Sequence, residues 1–123
     1  MFTKSSFVIS NEKYIYAKVR SLSSNIDHFM VSRDKDEITV VTNEENISLL
    51  DLIEKNENLW RLVSLHLNTP FMAGTLATIN SACAEKGLNN LIISTYSKDY
   101  IVIKDSQVHE IKEVLRNLGF KEG

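Results

Sequence analysis

Apolar and polar positions alternate in short runs through the first half of the chain. A longer three-and-four spacing appears only after residue 70. Residues 7–9 form a short β-rich piece, and Tyr14–Val19 reads YIYAKV, a run of β-formers. Residues 28–32 and 37–42 flank Arg33-Asp34-Lys35-Asp36, a polar turn, so the pair reads as an antiparallel hairpin with Ile38 and Val40 on one face. Residues 48–56 carry Leu49, Leu52 and Ile53 at helical spacing, which predicts a short helix with Ser48 as its N-cap.

After Trp60 the pattern lengthens. Residues 61–67 alternate Val63, Leu65 and Leu67 onto one face of a strand, and Pro70 stands where a proline opens a helix. Met72, Leu76, Ile79 and Cys83 then form one helical stripe, and Gly87 supplies a left-handed C-terminal residue. Residues 91–96 and 100–104 read as a second hairpin around Ser97-Lys98-Asp99. Ser106 caps a second helix with the stripe Val108, Ile111, Leu115 and Leu118, which Gly119 ends before a last strand at 120–122. The order β-α-β-β-α-β is the split βαβ, or ferredoxin-like, arrangement: an α+β sandwich with an antiparallel sheet and both helices on one face. Residues 1–59 then form a β-rich N-terminal extension with a short helix, and residues 60–123 form the ferredoxin-like domain.

Length and charge narrow the function classes. A chain of 123 residues fits one compact domain or two small subdomains. Its net charge of −2, with lysines and arginines dispersed, offers no field for nucleic acid or an anionic membrane. A single cysteine excludes an internal disulfide and a cysteine-rich zinc cluster, in keeping with a reducing cytoplasm. The N-terminal residues carry no apolar stretch of signal-peptide length, and no segment approaches the roughly 20 apolar residues of a membrane span.

Several residues invite a chemical role. Cys83 lies on an apolar helical stripe with no charged neighbour, so it reads as core rather than nucleophile. His28, His66 and His109 fall in different elements without metal-ligand spacing. Ser94 and Lys98 lack a third group for a Ser–Lys mechanism. Tyr14 and Tyr16 alternate as an RNA-stacking platform would, yet no RNA-binding motif accompanies them, so packing or a subunit seam explains them better. No catalytic residue, cofactor or metal is expected.

The motifs Trp60-Arg61, Gly74-Thr75-Leu76 and Ile93-Ser94-Thr95-Tyr96 with Asp99-Tyr100, together with EITVVT at 37–42, resemble the ACT domains of animal cytosolic arginine sensors and of small bacterial proteins. The resemblance runs over about residues 14–120. Lys98 stands where the family usually has Thr, and Leu67-Asn68-Thr69-Pro70-Phe71 replaces a loop that often reads Leu-Asp-Phe. The resemblance implies a non-enzymatic regulatory domain that pairs as a homodimer and binds a small effector, an amino acid above all, at a seam. It implies ligand contacts from Thr69, Phe71, Met72, Ala73 and Gly74 in the strand-to-helix loop, and from Ser94, Thr95 and Asp99. A helix start suits a carboxylate, Gly74 leaves its approach open, and Asp99 suits an amine. The same residues also serve as a helix cap, a packing glycine and a hairpin turn. The rival function is a ligand-free interaction module that regulates a partner by docking.

Overall fold

The structure, a computed structural model, describes residues 2–68 and 74–123. The chain divides into two compact units, Met1–Ser10 with Arg61–Gly123, and Asn11–Trp60. Residues 1–10, grouped by the sequence pattern with the N-terminal half, thus pair with C-terminal elements.

The larger unit contains strand β1 (Ser6–Ile9), part of β6 (Trp60–His66), helix α1 (Thr75–Glu85), β7 (Asn90–Ser94), β8 (Asp99–Lys104), helix α2 (Val108–Asn117) and β9 (Lys121–Glu122). Its strand order is β9-β1-β6-β8-β7. The expected β-α-β-β-α-β succession is present, but it is not a simple ferredoxin-like sheet. β1 takes the place beside β6, antiparallel, with Phe7 opposite Leu65. The last strand, β9, pairs instead with β1, and in parallel. The sheet is therefore mixed, and its closing strand comes from the start of the chain.

Phe7, Val63, Leu65, Ile101 and Ile103 from the strands share one core with Ile79 and Cys83 of α1 and with Ile111, Val114 and Leu115 of α2. One sheet face thus carries both helices. Phe2 and Phe120 stack at 4.7 Å and close the same core. Both helices end as the glycines predict. Gly87 N–H donates to Ala84 and Leu88 N–H to Cys83, while Gly119 N–H donates to Arg116 and Phe120 N–H to Leu115. These paired bonds satisfy the last helical carbonyls and require the positive φ of 69° and 106° seen at the two glycines. Ser106 does not cap α2. It lies inside a 3₁₀ turn, Asp105–Gln107, that leads into the helix.

The smaller unit contains β2 (Tyr14–Val19), β3 (Met30–Arg33), β4 (Ile38–Asn43) and β5 (Leu52–Lys55), ordered β3-β4-β2-β5. The β3–β4 hairpin forms as expected. Asp34 Oδ1 accepts the N–H groups of Asp36 at 2.7 Å and Glu37 at 2.9 Å, and these bonds hold its carboxyl below the ordinary range. The helix expected over 48–56 is absent. A 3₁₀ turn, Glu44–Leu49, capped by Asn43, precedes a strand that pairs with β2. Leu49, Leu52 and Ile53 fit either period over so few residues, and an open edge of β2 supplies ladder bonds that an isolated short helix lacks. Leu49 at 62% and Ile53 at 45% exposure make no buried stripe. Ile15, Ala17, Val19, Ile38 and Val40 form this unit's core.

Candidate functional site

The larger unit carries a depression of about 790 Å³ where β6 ends beside the β7–β8 hairpin. Leu65 and Leu67 are among its lining residues. Ser94, Thr95 and Lys98 come from the hairpin side, and Lys4, His66 and Asn68 from the segments around β1 and β6. The wall near β1 is pinned by Ser5, 1% exposed, whose Oγ accepts the Asn68 N–H at 2.9 Å and whose carbonyl accepts the Lys121 N–H at 2.9 Å. Arg61 fixes the far end of the β1–β6 pair. Its Nε donates to the Ser10 carbonyl at 2.7 Å and its guanidinium meets Asp105 at 3.0 Å.

The hairpin shapes the polar side of the depression. Thr95 N–H donates to the Lys98 carbonyl at 2.8 Å, and Thr95 Oγ1 accepts the Lys98 N–H at 3.2 Å, which closes the turn. Ser94 and Asp99 stand opposite each other in the β7–β8 register, and Ser94 Oγ donates to Asp99 Oδ1 at 2.5 Å. A carboxylate held by a hydroxyl at a cavity wall suits a ligand ammonium. Tyr96 projects from the tip, fully exposed.

Of the residues expected at a site, Ser94, Thr95 and Asp99 meet at this depression. Gly74 is not among the described residues that line it. It starts α1 with φ +93°, and a Cβ there would meet nothing within 4 Å, so backbone conformation rather than tight packing calls for glycine. Thr69, Phe71, Met72 and Ala73 lie outside the described residues, as do Pro70 and the first turn expected around Met72. Lys4, Ser6, His66 and Asn68 were not anticipated. Alternation alone places His66 off the core face of β6, but nothing in the sequence announces that β1 lies beside that strand.

The remaining candidates have structural work. Cys83 is fully buried, and burial pushes its thiol up to about 11. Ser94 Oγ bonds Asp99, so it is not paired with Lys98 for nucleophilic chemistry. Burial lowers the His28 imidazole, partly offset by Asp27, and His109 pairs with Glu113 one turn along α2. Among the described residues no group of three or more His, Cys, Asp and Glu is placed to hold a metal ion. Tyr14 meets Phe29 and Tyr16 meets Trp60 edge-on, at 6.3 and 6.5 Å, so both rings are engaged in packing. No helix among the described residues is long and apolar enough to cross a membrane.

No protein-family model matches the chain, and no curated protein matches it in sequence. Solved structures do match its fold. A Vibrio cholerae protein of unknown function, described as a possible transport protein, superposes with a TM-score of 0.83 at 19% identity, covering 96% of this chain and 92% of its own. A C-terminal regulatory domain assigned to the aspartate kinase of Porphyromonas gingivalis gives 0.63 at 12% identity over 92% and 95% of the two chains. The ligand-free regulatory subunit of Thermus thermophilus aspartate kinase gives 0.59 at 8% identity over 95% and 98%. The chain has an ACT-like α+β fold, of the kind found in aspartate kinase regulatory domains.

Proposed function

We propose that this protein is a non-enzymatic regulatory module that senses a small ligand, an amino acid, in the depression at the end of β6. The observation that carries the reading is one open cavity lined by a hydroxyl-held carboxylate, Asp99, by two lysines, Lys4 and Lys98, and by Leu65 and Leu67. An α-amino acid presents the complementary charges. Thr69, Phe71, Met72, Ala73 and Gly74 complete the site in this reading, as the family resemblance implies. The likeness to aspartate kinase regulatory domains supports a regulatory role rather than catalysis. The module works in the cytoplasm as a homodimer.

Thermal unfolding of the purified protein against the common amino acids tests this. A ligand at about 100 times its dissociation constant adds about 2.7 kcal/mol, a rise of about 10 °C for a chain of this size. The rise disappears in Asp99→Asn. Absence of any shift at millimolar concentrations rejects amino-acid sensing. A second reading, a ligand-free docking module, is favoured by the full exposure of Tyr96 at the hairpin tip. There Tyr96→Ala abolishes capture of a partner protein and leaves ligand-induced stabilisation absent.

A further inference from the structure

The cavity's charges are unequal, and the imbalance bears on which ligand it takes. Lys4 and Lys98 line it against a single aspartate, Asp99. Lys4 stands just before β1, and Lys98 closes the turn into β8. β1 and β8 flank β6 on its two sides, so the two lysines reach the cavity from segments on opposite sides of that strand. Neither ammonium joins an ion pair among the described residues. Asp99 has one carboxylate oxygen occupied by Ser94 and the other available to a ligand ammonium.

A neutral α-amino acid brings one carboxylate and one ammonium. It leaves one of the two lysines unmatched. We propose that the ligand is a dicarboxylic α-amino acid, of the aspartate or glutamate type, whose ammonium faces Asp99 and whose two carboxylates are met by Lys4 and Lys98. The proposal rests on the sensing reading above and specifies its ligand. Leu65 and Leu67, which also line the cavity, suit the one or two methylenes that separate such carboxylates. The chain as a whole carries −2, so it exerts no general attraction on anions, and the preference is a local property of these walls.

Isothermal titration calorimetry with L-glutamate and L-aspartate against L-glutamine and L-asparagine tests it. Each amide keeps the shape of its acid and removes the second charge. The acids are expected to bind about 10- to 100-fold more tightly at low salt, the range of a charge-assisted hydrogen bond. Of Lys4→Gln and Lys98→Gln, the variant that removes the partner of the side-chain carboxylate is expected to reduce that preference sharply while glutamine binding changes little. The variant that removes the partner of the α-carboxylate is expected to weaken acid and amide alike, and added salt is expected to narrow the preference. Amides that bind as tightly as acids, or a preference unchanged in both lysine variants, overturn the dicarboxylate assignment and leave sensing intact. Failure of every common amino acid to bind overturns both.

Discussion

The two units begin from similar material and end differently. Each offers a strand, a hairpin and a run of leucines and isoleucines at helical spacing. In the larger unit those runs become α1 and α2, covering one sheet face. In the smaller unit the corresponding run becomes a 3₁₀ turn and an edge strand, and its core is built from fewer side chains. The difference lies in length and termination. The helical runs of the larger unit continue for about three turns and end at glycines that satisfy the last carbonyls. The run at 48–56 has no such stop and lies beside an unfilled strand edge, so sheet pairing wins.

The contrast can be tested by perturbing each unit at its own support. Phe7→Ala removes a fully buried ring from the larger core and is expected to cost about 3–5 kcal/mol in urea denaturation, the largest effect. Gly119→Ala comes next. It puts a side chain at φ +106°, and its Cβ would lie 3.1 to 3.2 Å from the backbone of Phe2 and Thr3. Gly87→Ala meets only open space and bears the left-handed penalty alone, about 1–2 kcal/mol. Gly119→Ala must therefore destabilise more than Gly87→Ala; equal losses would show that the N-terminal segment yields to the new methyl. In the smaller unit, Asn43→Ala removes the cap on the 3₁₀ turn and is expected to cost about 1 kcal/mol.

The last effect is in pH dependence and is confined to alkaline solution. The Cys83 thiol keeps its proton to about 11 when folded, against 9.0 ordinarily. Between these values the folded chain holds a proton that the unfolded chain has released. The stability this group contributes is therefore intact below pH 9 and lost as pH rises toward 11. Denaturation of wild type and Cys83→Ala from pH 8 to 11 should show a steeper decline for wild type. Parallel curves would mean that the thiol is not held in its neutral form.

Much of this was readable in the residues. β2 and the β3–β4 hairpin follow from β-formers around a polar turn, and α2 follows from Val108, Ile111 and Leu115 with Gly119 beyond. The fate of residues 48–56 was not readable, because Leu49, Leu52 and Ile53 fit two periods and only the tertiary neighbour decides. Ser94, Thr95 and Asp99 were candidates through the family resemblance, and that they meet at one cavity follows from a hairpin that keeps near neighbours together. Lys4 was not a candidate, because its place depends on a pairing between β1 and β6 that local pattern does not encode.

That pairing also has a consequence for how the chain acquires its shape. β1 is made first, yet its partners β6 and β9 follow only after Asn11–Trp60. During synthesis β1 waits while the whole inserted unit emerges. Closing the larger sheet then bears the loop-closure entropy of that insert, whereas the smaller unit needs contacts only within its own continuous stretch. The order of assembly thus runs opposite to the order of size: the smaller, contiguous unit is free to form on the ribosome, and the larger one is completed when β9, Lys121–Glu122, docks against β1.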